Sequence, residues 1–447
     1  METKRAYQRV LATAFRPFTV VKPAETVTVA IMTFAAFLLL TAYYLLKTVR
    51  EPLILLQGGA DVKLYARAGQ ALIMVGVVHA YGELARRFGR MRLLTLVFAF
   101  FISNLVVFTL LARTQLHIGL SFFLWVGVFS YTVVAQFWAV AADIYTAEQG
   151  KRLFPIIGAG SSIGAVVGSG VSRLLIPLGP SMLMGTAVVV LTACVLLIVW
   201  VEHRALADGP AQDPKQAEAP LSAEGAFHLM ARDNYLLVIA GLVVCLNWVN
   251  SSGEYLLDRA LLLASSDVVH NGQSAEVFIG AFKADYFAWY NVIGLLLQLF
   301  AVSRILRIIG VANALYLLPA FAFFAYTAAA LFPVLAVLRV VKIGENSLQY
   351  SVQDTTRHAL FLVSSRVEKF VGKTAVDTVA VRLGAIFASI VVMLGTAGGW
   401  SIATFAWVNV GLSATWIAFA IAIGKDYKRR SAMDEAGLAN EPLSANR

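Results

Sequence analysis

The chain has 447 residues, of which 59% are hydrophobic and only 14% charged, with a formal net charge of +10. Soluble domains carry about 25% charged residues, so a polar surface around one buried core is excluded. The basic excess sits in short loops between apolar runs, which reads as membrane orientation rather than nucleic-acid binding.

Residues 1–26 are basic, with Lys4, Arg5, Arg9, Arg16 and Lys22, and lack the apolar core and small-residue cleavage site of a secretory signal. The first span runs from about Val27 to Leu46 and closes on Lys47, Arg50 and Glu51, with Pro52 expected to end the helix. A second follows Ala66 and leads into a basic turn, YGELARRFGRMRLL, at 81–94. The third covers about Leu93–Leu111 and the fourth about Ile118–Ala142, ending beside Asp143. The fifth and sixth run from about Leu153 to Leu175 and from Ser181 to Val201. Apolar runs of about twenty residues are the signature of spanning helices.

Residues 202–230 change character, with Pro210, Pro214, Pro220 and few large apolar side chains, and read as a polar linker. Six more spans follow, near 236–257, 281–303, 311–331, 333–353, 370–396 and 401–424. The tail from Lys425 is charged, with disorder expected beyond Arg430. The expectation is therefore an all-α polytopic membrane protein with about twelve helices in two six-helix halves, 27–201 and 231–424. The Lys and Arg residues fall mainly on one side of this plan, which places both termini in the cytoplasm. The expected setting is the inner (plasma) membrane, with the protein a monomer in lipid.

Several residues are candidates for function. Lys47 and Arg50 either snorkel to the headgroups or bind an anion. Asp143 either pairs with Arg86, Lys151 or Arg152 or acts as a gate. Gly160, Gly164 and Gly168 recur at four-residue intervals and are expected to let a neighbouring helix backbone approach closely. The GAGSSIG run at 158–164 has the glycines of a dinucleotide fingerprint but lies inside a span, without the strand such a fingerprint needs. Asn247, Asn250, Ser251, Ser252 and Glu254 form a polar run in the seventh span, where Gly253 is expected to loosen the helix and open a substrate site. Arg339, Lys342 and Glu345 recur every three residues on one face of the tenth span. Cations in so apolar a span should face water or partners, and Lys342 and Glu345 can pair. Arg50, Glu254, Arg339 and Lys342 are expected to converge on a net-positive, water-accessible cavity between the halves. Cys194 and Cys245, inside apolar runs, and six scattered histidines support neither a disulfide framework nor a metal site. No cofactor is expected, and no nucleophile–base pair or phosphate loop marks an enzyme.

Two six-helix halves about a central linker is the plan of the major facilitator superfamily. The turn at Gly82–Arg90 resembles that superfamily's motif between helices two and three, with Arg86 in place of its acid. More specifically, four stretches resemble the nucleotide transporters typified by the ADP/ATP translocases of plastids and obligate intracellular bacteria: KTVREPL at 47–53, FWAVAADIYTAEQGKRLFPIIGAGSSIG at 137–164, YSVQDTTRHALF at 350–361 and GKTAVDTVAVRLG at 372–384. The resemblance implies alternating-access transport of a nucleotide or another phosphorylated anion, with ATP/ADP antiport as one form. It implies functional roles for Arg50, Asp143 and Glu254, which stand where the family has its helix-one cation, helix-four acid and helix-seven acid. Together with the reading of the residues themselves, Lys47, Arg50, Asn250, Glu254, Arg339 and Lys342 are expected to bind substrate, and Asp143, Glu254 and Glu345 to gate or couple protons. Gln349 and Ala385 stand where the family commonly has lysines. The alternatives are a proton-coupled exporter of apolar or cationic compounds and a non-transporting membrane sensor or partner subunit.

Overall fold

The computed structural model describes residues 22, 25–114, 116–207, 233–361, 373 and 376–435. Among them the chain is helical throughout, in the order α1 (Thr26–Arg87), α2 (Arg90–Leu111), α3 (Gly119–Ile144), α4 (Ala147–Leu175), α5 (Pro180–Ala207), α6 (Asn234–His270), α7 (Ala275–Leu296), α8 (Val302–Ala314), α9 (Leu317–Leu331), α10 (Leu335–Leu348), α11 (Asp354–Leu360), α12 (Val381–Ala397) and α13 (Ile402–Glu435). Eight helical stretches are long and apolar enough to cross a membrane, and α9 and α12 are shorter apolar helices.

The first expected boundary is corrected. Helix α1 does not end at Pro52 but runs on through it, and its break falls at Gly59, with φ 78° and ψ 178°. A straight helix of 62 residues would extend about 93 Å, some three times the hydrocarbon thickness. Glycine reaches this positive φ without steric cost, so Gly59 divides α1 into two spans' worth of helix. Proline inside a spanning helix is tolerated when neighbouring groups satisfy the freed carbonyl. Two further extensions appear: α5 continues to Ala207, and α13 carries the charged tail as helix to Glu435. Most of the expected linker lies outside the described residues.

A second correction concerns the seventh span. Helix α6 is continuous through Gly253. A Cβ on Gly253 would collide with the Tyr326 hydroxyl, so this glycine makes room for a side chain rather than loosening the helix. Irregular backbone occurs elsewhere, in π-helical turns at Leu297–Ala301, Gln349–Gln353 and Val376–Ala380. Such turns widen the hydrogen-bond ladder by one residue and recur at functional sites.

The described residues divide into two compact units. The first comprises those within Met1–Lys215 and Ser265–Asn291, the second those within Gln216–Ala264 and Val292–Arg447. Residues 265–291 thus pack with the first unit, although sequence reading placed them in the second half. In the first unit α1 is central, packed against α3, α4 and α5. Its contact with α4 rests on the glycine stripe. A Cβ at Gly160 would lie 2.5 Å from the Thr33 carbonyl oxygen, and one at Gly168 2.6 Å from that of Thr41. At Gly164 it would lie 2.9 Å from Phe37 Cα, with the Phe37 carbonyl oxygen closer still. The proximity lets Thr41 Oγ1 donate to the Gly164 carbonyl at 3.2 Å. Without a hydrophobic force between helices in lipid, such close packing and interhelical bonding hold the pair. In the second unit α9 packs against α13 and α10, around buried Tyr326, Trp416 and Leu338.

Outside the spans, Thr146 caps α4 with a reciprocal Thr146–Gln149 box. Glu25, just before α1, accepts from Arg152 at 3.1 and 3.3 Å and from Gln149 at 3.0 Å. Burial pushes the Glu25 carboxyl up, but the bonds from Arg152, Gln149 and the Lys22 amide outweigh it and hold the group below the usual value of 4.5. Of the basic residues considered for Asp143, Arg86 bonds Glu83 and Arg152 bonds Glu25. Asp143 itself is exposed at the end of α3.

Candidate functional site

Among the described residues, two clusters of charged and polar side chains lie within the spans, one in each unit. The first surrounds Glu51 on α1. Its carboxylate, 1% exposed, bonds Arg50 Nε at 3.3 Å and Lys63, and lies 3.5 Å from Lys283 Nζ on α7. Three cations thus lie around this one carboxylate. Desolvating a charge without partners costs several kcal/mol, which explains why Glu51 accompanies these cations. Lys63 and Lys283 were not singled out from the sequence, although each interrupts an apolar stretch and was legible as an intramembrane cation.

Arg50 is the exceptional member. Its guanidinium lies over the Phe123 ring of α3, 4.7 Å from the centroid, and the residue is 6% exposed. Only Nε is bonded, to Glu51; Nη1 and Nη2 have no hydrogen-bond partner among the described residues. The planar fork that recognises carboxylates and phosphates two-fold is therefore held in place by stacking and one ion pair with its outer donors unspent. One turn earlier, Lys47 Nζ lies 4.5, 5.0 and 5.3 Å from the ring centroids of Phe287, Tyr44 and Tyr290. It donates to Tyr290 Oη at 2.6 Å, and Tyr44 Oη donates to Asn291 at 3.0 Å. Aromatic faces attract an ammonium by their quadrupole, so this cage gives Lys47 partners within an apolar stretch.

The second cluster joins α6, α9, α10 and α13. Lys342 Nζ, fully buried, donates to Glu345 at 2.9 Å and to the Asn250 carbonyl at 3.3 Å, and stands 4.0 Å from Glu254. Tyr326 donates to the same Glu345 carboxylate at 2.5 Å. Asn346 donates to Glu254 at 3.3 Å. Asn250 Nδ2 donates to Asn346 at 3.0 Å and to Gln349 Oε1 at 2.6 Å. Ser252 bonds Asn409 of α13 at 2.5 Å. The pairing alternative raised for Lys342 is thus what the structure holds. Its ammonium donates to one carboxylate and one carbonyl, with the Glu254 carboxylate 4.0 Å away. Arg339 lies half-buried one turn earlier. Tyr326 and Asn409 were missed because each is a single polar side chain in an apolar run, the commonest of patterns.

Comparison with known proteins identifies what these clusters belong to. Three curated relatives, each described as ADP,ATP carrier protein 1, come from Chlamydia pneumoniae, Chlamydia trachomatis and Chlamydia muridarum, and each is 23% identical. The matches cover 68%, 68% and 70% of this chain and 66%, 64% and 65% of the relatives, so the chain spans about two thirds of their length. Among solved structures, a nucleoside transporter, NupG, superposes with a TM-score of 0.62 at 12% identity, over 90% of this chain and 99% of its own. An auto-inhibited POT family peptide transporter does so with a TM-score of 0.62 at 12% identity, over 94% and 98%. At such identity these two share the fold, that of a polytopic helical membrane transporter. A family model described as TLC ATP/ADP transporter matches residues 121–427, and with the glycine-lined helix pair and the two charged clusters inside that match or beside it, this chain belongs to the TLC ATP/ADP transporter family.

Proposed function

We propose that this protein carries a nucleotide, or a closely related phosphorylated anion, across the inner membrane by alternating access, with ATP/ADP exchange as its first form. The observation that carries this reading is Arg50: a guanidinium buried, stacked on Phe123 and anchored by Glu51, with Nη1 and Nη2 unspent. A fork held so is suited to a phosphate. Lys47, one turn away, adds a second cation. The family description and the relatives' names support the nucleotide.

In this reading the second cluster serves coupling rather than anion binding. Glu254 and Glu345 flank one lysine, and a proton taken by either carboxylate changes the charge that Lys342 balances. Asp143, exposed at the end of α3, is assigned the gate, and both termini face the cytoplasm. An anion held by Arg50 argues against an exporter of apolar compounds, and unspent charge at a buried site argues against a non-transporting sensor.

The test is uptake of labelled ATP and ADP into proteoliposomes, with and without internal nucleotide. Internal nucleotide should accelerate uptake. Arg50→Ala should reduce it at least tenfold with surface expression and melting temperature retained, and Arg50→Lys should fall between, because a point charge cannot reproduce the fork. Uptake unchanged in Arg50→Ala would overturn the assignment of Arg50, and no uptake of any nucleotide by the wild type would overturn the reading.

A further inference from the structure

Two amides can share two hydrogen bonds, each donating to the other's oxygen. Asn250 and Gln349 share only one. Asn250 Nδ2 donates to Gln349 Oε1 at 2.6 Å and to Asn346 Oδ1 at 3.0 Å, which fixes the orientation of all three amides. It leaves Asn250 Oδ1, an acceptor, and Gln349 Nε2, a donor, without a partner among the described residues. Both side chains are half-buried. Neither atom is among the fully buried ones that lack a partner, so both are open to a ligand, and they belong to adjacent side chains of opposite hydrogen-bonding sense.

The setting is built rather than incidental. Asn346 ties the amides to Glu254, and Lys342 binds the Asn250 carbonyl, so α6 and α10 are bonded to each other at this point. Gln349 opens the π-helical turn Gln349–Gln353, whose extra residue redirects the side chains relative to a regular helix. Neither unspent atom is charged, so the pair suits a neutral planar group presenting one donor beside one acceptor. Amides read such edges on nucleobases, pairing their oxygen with an exocyclic amine and their nitrogen with a ring nitrogen.

We propose that Asn250 and Gln349 form a nucleobase-reading subsite, in which Asn250 Oδ1 accepts from an exocyclic amine and Gln349 Nε2 donates to a neighbouring ring nitrogen. This rests on the nucleotide reading above and names groups that would recognise the base. Sites built to bond a polar group discriminate strongly against analogues lacking it, because their own groups are then left unpaired.

The experiment is competition against labelled ATP bound to the purified full chain. The competitors are ATP, purine riboside triphosphate, which lacks the exocyclic amine, and inorganic tripolyphosphate, which lacks the base. The wild type should favour ATP over purine riboside triphosphate about tenfold, the effect of one lost hydrogen bond. Gln349→Met should lower the ratio of ATP to tripolyphosphate affinity about tenfold, with tripolyphosphate binding changed less than twofold. Gln349→Glu retains the acceptor that Asn250 uses and replaces only the free donor, so it should lower the same ratio, and it serves if the methionine variant does not fold. A wild type that does not distinguish ATP from purine riboside triphosphate would overturn the subsite. So would variants with unchanged ratios. In both cases ATP still binds, so the nucleotide reading survives; a wild type that binds no ATP removes both.

Discussion

Replacing Gly164 by alanine adds one methyl group to α4 at its closest approach to α1. That carbon would lie 2.9 Å from both the Cα and the carbonyl carbon of Phe37, where carbon atoms at optimal separation are about 3.5–4.0 Å apart. The helices must part by about 0.6–1.1 Å on that comparison. The obstacle is backbone, which has no rotamer to retreat into, and separation also stretches the Thr41–Gly164 bond of 3.2 Å. Overpacking costs about 1–3 kcal/mol, and this site belongs at the upper end, near 3 kcal/mol. Gly158, on the same helix, has nothing within 4 Å of its Cβ position, so Gly158→Ala should be neutral or gain about 0.5–1 kcal/mol from helix propensity. Melting of the detergent-purified variants, followed by size-exclusion peak height, should drop by several degrees for Gly164→Ala and hold or rise for Gly158→Ala. Equal melting of the two variants would refute the claim that backbone contact explains the glycine stripe.

The Lys342 cluster predicts a different pattern. Lys342→Met leaves Glu345 and Glu254 buried without their cation and should cost about 3–5 kcal/mol, whereas adding Glu345→Gln should recover a substantial part; double-mutant melting in which the losses simply add would count against a coupled pair. Gly253→Ala should destabilise through its collision with the Tyr326 hydroxyl, and Tyr326→Phe in the same chain should relieve part of the loss; absence of any relief would show that another group is the obstacle. The Glu25 latch predicts a pH dependence. Because its folded value lies below 4.5, its stabilising contribution is present above that value and is lost as pH falls through the folded one. Melting temperatures measured from pH 7 downwards should therefore converge between the wild type and Glu25→Gln at the acid end, and a constant difference across the range would remove the latch.

The spans, the glycine stripe and the charged candidates were legible because each is a local property. A run of about twenty apolar residues needs no partner to declare itself, and Gly160, Gly164 and Gly168 share a face by helical periodicity alone. The break in α1 was partly legible in the Gly58–Gly59 pair, yet Pro52 misled, since a proline ends a helix in water more reliably than in a packed bundle. What tertiary structure alone decided is the state of each charge. Arg50 and Lys342 look alike along the chain, each a cation in an apolar span with an acid nearby. Arg50 shares Glu51 with Lys63, twelve residues on, and with Lys283, more than two hundred residues away, so its fork keeps two donors. Lys342 finds Glu345 on its own helix and Glu254 on α6, and keeps no such surplus. A charge inside a membrane is defined by its neighbours, and those neighbours come from helices whose order in space is absent from their order in sequence.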